Sequence, residues 1–529
     1  MRLLPIGIQE FAKIREGGFV YVDKTARIHR LISESSGAVF LLRPRRFGKS
    51  LLCSTLGAIF EGRRELFGEI AGRPVLAIDS LDWEWKKHPV IRLDLNAEVY
   101  SSGVEALHKA LNYELQREAG KHGITPVYTD IISQFKYLIQ KASDNAGARA
   151  VVIIDEYDKP LMDTLSESSI HDLIRKELKG FYGVLKSSDA YLRFVFLTGV
   201  TKFSRISVFS DLNHMTDITL NPRYADICGL TQEELEQNFG PEIDEVLEET
   251  GRNREEYMEN LRRYYNGYRF SEKPLTIYNP FGLLNHFNEN GKFSPYWYET
   301  ATPAFLVDLV IRQKINISEL GALSVREEDF RRYDSENMNA VPLLYQTGYL
   351  TITDYNEELR VYRLNFPNNE VSSSFTASLV EQYTKSNHEV AGNLNTKLTE
   401  ALLRGSPEDA IKVLRSFFAV IPYDIIKETE NYYQTAVHLI FTMLGFNCRT
   451  ELRTAAGRID ALIETKRFVY CFEFKLDKTA DAALAQIEEK DYLLAWKCKD
   501  KTLFKVGVDF NHEQRNIGEW KSEIVEEFG

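Results

Sequence analysis

The chain has 529 residues, of which 44% are hydrophobic and 27% are charged, and its formal net charge is −12 at pH 7. These ordinary globular values exclude a disordered, collagen-like or fibrous chain, and at about 150 residues per domain the length predicts three to four domains. The negative charge leaves no global basic field, so any contact with nucleic acid must use a local patch.

Cysteine spacing and the N-terminal residues indicate the cellular compartment. No two of the five cysteines form a C-x-x-C pair, which argues against a zinc or redox motif and suits a reducing compartment. Pro5, Gly7 and Glu10 interrupt the N-terminal apolar run, and no stretch approaches the roughly 20 apolar residues of a membrane span. We therefore expect a cytoplasmic protein without a membrane partner.

Four short apolar runs in the N-terminal part of the chain predict buried β-strands, at Gly37–Leu42, Val90–Leu95, Ala150–Ile154 and Leu192–Leu197. Charged, helical stretches lie between them. Continuously apolar strands separated by helices are typical of a parallel sheet covered on both faces. The sequence therefore predicts an α/β domain over residues 1–228.

The next region, residues 229–366, has a more charged and helical pattern. Thr231 and Glu234 have the spacing of a helix-capping box, and residues 242–263 are acidic enough to predict a solvated helical stretch. A helix ending at Gly348 and two strands, 349–354 and 359–364, have the outline of a winged helix. This outline is compatible with either a structural lid on the first domain or a DNA-reading element.

The remainder of the chain divides into two predicted segments. Residues 367–427 have a helical pattern and predict a connector. Residues 428–529 predict a small domain with the order helix, hairpin, helix.

The first predicted strand runs into Arg-Pro-Arg-Arg-Phe-Gly-Lys-Ser, residues 43–50, and then into a helical pattern. Gly48 allows backbone amides to approach phosphate oxygens, and the helix N-terminus adds partial positive charge. Lys49 would reach the β- and γ-phosphates, and the Ser50 hydroxyl would ligate Mg²⁺. Arg43 stands where the usual pattern has its first glycine, so an ordinary strand-to-helix turn is the alternative interpretation.

Polar residues at the ends of two later strands support a nucleotide site. Asp155 could hold Mg²⁺ through water, and Glu156 could polarise the attacking water. The tip of the fourth strand offers candidates for sensing the γ-phosphate or stabilising transition-state charge, with a plain surface role as the alternative. These candidates are Thr198, Thr201, Lys202 and Arg205.

These motifs, together with Tyr-Asn-Gly-Tyr at 265–268 and Tyr-Gln-Thr-Gly-Tyr-Leu at 345–350, resemble the AAA-ATPase-like family of bacterial proteins. The resemblance covers most of the first 370 residues. It implies a P-loop ATPase domain, ATP as the ligand, and a loop in which arginine at the first-glycine position is normal. The predicted ATP-binding residues are Arg45, Arg46, Phe47, Gly48, Lys49, Ser50, Leu51, Thr198 and Lys202, with Ser50 and Asp155 on Mg²⁺.

A second set of polar residues lies on a predicted hairpin formed by residues 457–464 and 468–476. Glu473 and Lys475 share one face of the return strand, and pairing about the turn brings Asp460 near Glu473. Two carboxylates that share a site need a cation between them, and a lysine can orient the attacking water. A solvated strand face with a Glu–Lys ion pair is the alternative interpretation.

With the preceding and following helices, this hairpin resembles the PD-(D/E)XK nuclease superfamily, over about the last hundred residues. The resemblance implies that Asp460 and Glu473 bind metal and that Lys475 is the catalytic lysine. The flanking helices offer two secondary site residues, Glu430 as a third acid that could bind metal and Gln486. Ile459 stands where the motif usually has proline.

Two functions remain open. The first is an ATP-binding and ATP-hydrolysing protein that gates a Mg²⁺-dependent nuclease acting on DNA or RNA. The second is a nucleotide-regulated switch whose nuclease-like domain only binds nucleic acid or a protein, which the net negative charge favours. A transporter subunit or a kinase fits less well, because no acceptor pocket or membrane contact is evident. Assembly into a homo-oligomer, with Arg205 acting in trans, is a further expectation.

Overall fold

A computed structural model describes residues 2–165, 167–202, 215–301, 304–313, 315, 323–331, 339–384, 388–421, 430–444, 447–454, 457–497 and 500–526. The chain forms two compact units. The first comprises Met1–Ala301 and Ser324–Asn368, and the second comprises Thr302–Leu323 and Asn369–Gly529. No helix in the described ranges is both long and apolar enough to cross a membrane.

The first unit contains a five-stranded parallel sheet with the order β2-β3-β4-β1-β5. Its strands are β1 Ala38–Leu42, β2 Val90–Asp94, β3 Ala150–Asp155, β4 Leu192–Gly199 and β5 Thr216–Asp217. Every residue of β1 and β3 is buried, as expected for strands covered on both faces. The predicted α/β class is confirmed.

Helices cover this sheet and place their apolar stripes on it. They are α1 Phe11–Glu16, α2 Thr25–Glu34, α3 Lys49–Phe60, α4 Val104–Lys121, α5 Ile131–Ala146, α6 Lys159–Met162 and α7 Ser168–Ser187. Stacking of Phe135 on Phe181, with ring centroids 4.6 Å apart, joins α5 to α7 in the core.

The rest of the first unit is helical with a small sheet, in the order β6-β8-β7. Its elements are α8 Gln232–Asn238, α9 Gly240–Thr250, α10 Arg254–Tyr265, α11 Pro280–Asn288, α12 Tyr296–Ala301, β6 Leu323–Arg326, α14 Glu327–Arg331, α15 Ala340–Thr347, β7 Thr351–Asn356 and β8 Val361–Asn365. The capping box of Thr231 and Glu234 is present. Gly348, with φ +92°, ends α15, and both hairpin strands start two residues later than predicted.

The prediction of a solvated stretch over residues 242–263 is wrong in part. Gly251, in the left-handed region, divides it into α9 and α10, and each helix buries an apolar stripe that includes Ile243 and Leu261. Glu242 is itself fully buried and forms an ion pair with Arg2. The N-terminal arginine therefore neutralises a carboxylate that the local sequence suggested would be exposed.

The second unit contains helices followed by a five-stranded sheet with the order β13-β12-β11-β10-β9. Its elements are α13 Ala304–Arg312, α16 Asn369–Thr384, α17 His388–Leu403, α18 Pro407–Val420, α19 Glu430–Met443, β9 Asn447–Thr454, β10 Gly457–Glu464, β11 Phe468–Leu476, α20 Ala480–Glu489, β12 Thr502–Asn511 and β13 Asn516–Glu526. The predicted helices and hairpin are present. The sequence did not predict β9, β12 and β13, of which the first and last are charged edge strands.

Candidate functional site

The loop between β1 and α3 has a backbone conformation suited to an anion. Arg46 has φ +65° and Gly48 has φ +91°, both in the left-handed region, with Phe47 between them. Such alternation turns successive backbone N–H groups toward one concave side. Because α3 starts directly after Gly48, its free N–H groups and partial positive charge add to the same side.

Arg43 connects this loop to neighbouring backbone segments. Its buried guanidinium donates hydrogen bonds to the backbone carbonyls of Leu42, Thr219 and Tyr224, at 2.8–2.9 Å. It also lies over the Phe270 ring, with 4.2 Å between the guanidinium carbon and the ring centroid. The arginine at the first-glycine position therefore anchors the loop to the surrounding backbone.

The predicted lysine and the predicted acids meet at the end of the sheet. Lys49 Nζ lies 3.2 Å from Glu156 Oε1 and 3.3 Å from the Pro44 carbonyl oxygen. Ser50 forms a side-chain hydrogen bond with Asp155, which is buried at the end of β3. Burial and the charge of Glu156 raise the pKa of Asp155 to about 7. A buried carboxyl with a second carboxylate beside it fits a bound cation.

A cavity of about 280 Å³ opens beside this group. Seven predicted site residues line it: Arg45, Arg46, Gly48, Lys49, Ser50, Leu51 and Glu156. Asp94, Asn96 and Phe281 also line it and were not predicted. Asp94 ends β2 and is in register with Asp155, so its place after a buried strand was an available signal.

Three predicted ATP-binding residues do not line this cavity. The Phe47 ring is buried against Tyr268 and Phe270, with centroid distances of 4.8 and 5.4 Å. The Thr198 hydroxyl donates to the Leu41 carbonyl and so ties β4 to β1. Their surroundings satisfy both side chains through packing or hydrogen bonding within the fold.

Lys202 also lies outside the cavity, because its ammonium group forms an ion pair with Asp217, with 2.6 Å between Nζ and Oδ2. Thr201, in turn, donates its hydroxyl and its backbone N–H to buried Asp158. Arg205 lies outside the described residues.

The second predicted cluster converges on one face of the C-terminal sheet. Ala461 is in register with Phe472, so Asp460 and Glu473 are neighbours across β10 and β11, and Asp460 Oδ2 accepts a hydrogen bond from the Phe474 N–H. Lys475 Nζ donates to Glu473 Oε1 at 2.9 Å and to Gln486 Oε1 at 2.7 Å.

Glu473 is a buried carboxylate that is only partly neutralised by its neighbours. It is 1% exposed, and its Oε2 atom has no hydrogen-bond partner. Burial and the charge of Asp460 raise the pKa of Glu473 to about 7. An orphaned carboxylate oxygen beside a second carboxylate fits a divalent cation that prefers oxygen ligands. Within the described side chains, no group of three or more His, Cys, Asp or Glu residues is placed to hold a metal.

Two further residues bear on this cluster. Tyr492, which was not predicted, is buried and forms a side-chain hydrogen bond with Gln486. Its position six residues after Gln486, in the turn that follows α20, was the available signal. Glu430 is the first residue of α19, and its side chain lies outside the described residues.

Comparisons with known proteins show matches to two families. Residues 5–209 match the family model for predicted AAA-ATPases, and residues 428–520 match a model of the PD-(D/E)XK nuclease superfamily. The chain is also 35% identical to a protein of Azotobacter chroococcum mcd 1, described as an uncharacterized protein in the vnfD 5′ region. That similarity spans 527 residues and covers 97% of each chain.

Proposed function

This chain belongs to the predicted AAA-ATPase family and ends in a PD-(D/E)XK nuclease superfamily domain, and on that premise we propose that it hydrolyses ATP and thereby gates metal-dependent cleavage of DNA or RNA. The observation that carries the first half is the cluster of Lys49, Ser50, Asp155 and Glu156 beside a phosphate-sized cavity. The second half rests on the convergence of Asp460, Glu473 and Lys475.

For ATP, the loop amides and Lys49 bind the β- and γ-phosphates, and Lys49 exchanges Glu156 for phosphate oxygens. Glu156 is then free to accept a proton from the attacking water. The water oxygen bonds to the γ-phosphorus, the bond from that phosphorus to the β–γ bridging oxygen breaks, and ADP and inorganic phosphate leave. Mg²⁺, held by Ser50 and Asp155 here and by Asp460 and Glu473 in the second unit, supplies charge neutralisation at the phosphates when bound.

In the second unit, Lys475 orients the water that attacks the phosphodiester, and Gln486 holds the Lys475 ammonium in place. The water oxygen bonds to phosphorus, one P–O ester bond breaks, and the proton that the water loses is balanced by the one that the leaving oxygen gains. This leaves one end with a phosphate group and the other with a hydroxyl group.

The test measures ATP turnover and nucleic-acid cleavage in the same full-length sample, with and without Mg²⁺. Lys49→Ala should abolish turnover, and Lys475→Ala should abolish cleavage but not turnover. The matched controls are Lys109→Ala and Lys412→Ala, which replace exposed lysines of the first and second units. An absence of cleavage on every single- and double-stranded DNA and RNA substrate, with turnover intact, would remove the nuclease half.

The alternative is a nucleotide-regulated switch that binds nucleic acid or protein without cleavage. The net charge of −12 favours it, because nucleases need positive charge near the phosphates. Nucleic-acid binding that changes with ATP while the substrate stays intact would support this second function.

A further inference from the structure

The loop before Lys49 contains two charged side chains that the mechanism above does not use. Arg45 and Arg46 are exposed and line the same cavity as Lys49 and Glu156. Within the described part of the chain, neither guanidinium group has a carboxylate at ion-pair distance.

Arg46 is also held in place. Its φ of +65° is a left-handed conformation that a long side chain adopts at some cost in energy. Its guanidinium carbon lies 4.9 Å from the ring centroid of Phe281, which lines the cavity from α11. Stacking on an aromatic ring limits the positions of the guanidinium while leaving its N–H groups free to bind an oxyanion.

The charges around the cavity favour a further positively charged side chain, such as the Arg46 guanidinium. Asp94 and Glu156 line the cavity, and Lys49 is the cation paired with Glu156 before a nucleotide binds. A triphosphate brings further negative charge into the same space. Charge that develops on the γ-phosphoryl oxygens is stabilised by positioned cations, and arginine is the side chain best suited to phosphate.

We propose that Arg46 binds the γ-phosphate in the site of its own chain and stabilises the transition state of hydrolysis. This inference rests on the proposed ATPase function and deepens it, because it makes each site complete without an arginine from a second copy. Arg46 acts only by donating hydrogen bonds to the phosphate oxygens. Phe281 is a positioning residue that acts through Arg46.

The first test compares kinetic constants and nucleotide affinity. Arg46→Ala should lower kcat about 10²–10³-fold, while ADP affinity stays within about threefold of wild type, because ADP lacks the phosphate that Arg46 contacts. Arg46→Lys should recover part of kcat. Phe281→Leu should lower kcat with little effect on the affinity for ADP. Arg254→Ala, an exposed arginine of α10, is the matched control. Unchanged kcat in Arg46→Ala, or a loss confined to Arg45→Ala, would overturn the assignment.

The second test separates action within one chain from action between chains. Arg46→Ala and Lys49→Ala are each inactive in this scheme, and their mixture should stay inactive. If arginine acted between copies, the Lys49→Ala chain would supply Arg46 to the other variant and turnover would return, which would contradict the proposal. Two results together would instead refute the ATPase function itself. They are an absence of ATP turnover in the wild-type protein and unchanged nucleotide binding in Lys49→Ala.

Discussion

Asp155 and Glu473 share one electrostatic situation in two different folds. In each, burial and a neighbouring carboxylate disfavour the charged form and raise the pKa to about 7. Both native pKa values lie above those of the unfolded chain, so the folded state binds more protons from about pH 4 to 7. The contribution of each carboxyl to stability therefore falls as pH rises through this window.

Asp155→Asn should accordingly stabilise the nucleotide-free protein at neutral pH, by on the order of 2 kcal/mol. The gain should shrink toward about pH 5, where the wild-type carboxyl is protonated. Denaturant unfolding across this pH range measures the effect, with exposed Asp144→Asn as the control. A gain that does not depend on pH would contradict the explanation.

Tyr492 offers a second test at the residue scale. Removal of its hydroxyl in Tyr492→Phe leaves the ring in place but loosens Gln486, which holds the Lys475 ammonium. Loss of such an orienting partner should lower the cleavage rate about tenfold, with ATP turnover and melting temperature close to wild type. The control Tyr113→Phe changes an exposed tyrosine of α4. Equal cleavage rates in the two variants would exclude a positioning role for Tyr492.

At the element scale, α4 protects the edge of the parallel sheet. Strand β2 is an edge strand, and two buried glutamates of α4 accept hydrogen bonds from its backbone: Glu118 from the Arg92 N–H and Glu114 from the Asp94 N–H. Arg117 and Lys121 neutralise Glu118. Side chains of this helix thus occupy N–H groups that could otherwise pair with another strand.

Glu118→Ala should therefore destabilise the first unit by about 1–3 kcal/mol, because it leaves the partly buried Arg92 N–H without its acceptor, while Arg117 keeps its ion pair with Glu114. Glu105→Ala removes an exposed glutamate from the same helix and is the control. Denaturant unfolding gives the free energies, and light scattering reports association through the uncovered edge. Equal stability of the two variants would show that the Glu118 contacts contribute little.

At the scale of the whole molecule, the phosphate cluster belongs to the first unit and the carboxylate–lysine cluster to the second. Each unit has its own hydrophobic core. A ligand that binds only the native form of one unit stabilises that unit by RT ln(1 + [L]/Kd), about 2.7 kcal/mol at a hundredfold excess over Kd.

With Mg²⁺ held constant in both samples, added ATP should therefore raise the melting temperature of one calorimetric transition in the wild-type chain and leave the other unchanged. Lys49→Ala should abolish this shift, and Lys475→Ala should preserve it. Protease footprinting at intermediate temperature identifies the transition by the unit that remains protected. A shift of both transitions by the same amount would indicate that the two units unfold together.

The elements that could be predicted from sequence are those whose signal is local. The strands β1 to β4 are mostly apolar, the turn into α3 requires Gly48, and the Thr231–Glu234 cap depends on four neighbouring residues. The hairpin of β10 and β11 has an alternating pattern that places Glu473 and Lys475 on one face. Three strands of the C-terminal sheet were not predicted. For β9 and β13 the reason is that edge strands with charged residues have a weaker apolar pattern, whereas β12 is an inner, mostly buried strand whose apolar residues were an available signal.

The sequence by itself determined which residue types form the two clusters: a strand-loop-helix with Gly-Lys-Ser, an acid-tipped strand, and Asp with Glu-x-Lys on a hairpin. These motifs depend on residue type and short spacing, so they can be recognised in the sequence alone. Only the tertiary structure decided that Arg43 anchors the loop, that Thr198 and Lys202 are engaged elsewhere, and that Arg46 meets Phe281 across the cavity. Partners distant along the chain settle each of these, because a charged side chain is directed by the carbonyls, carboxylates and rings that folding brings to it.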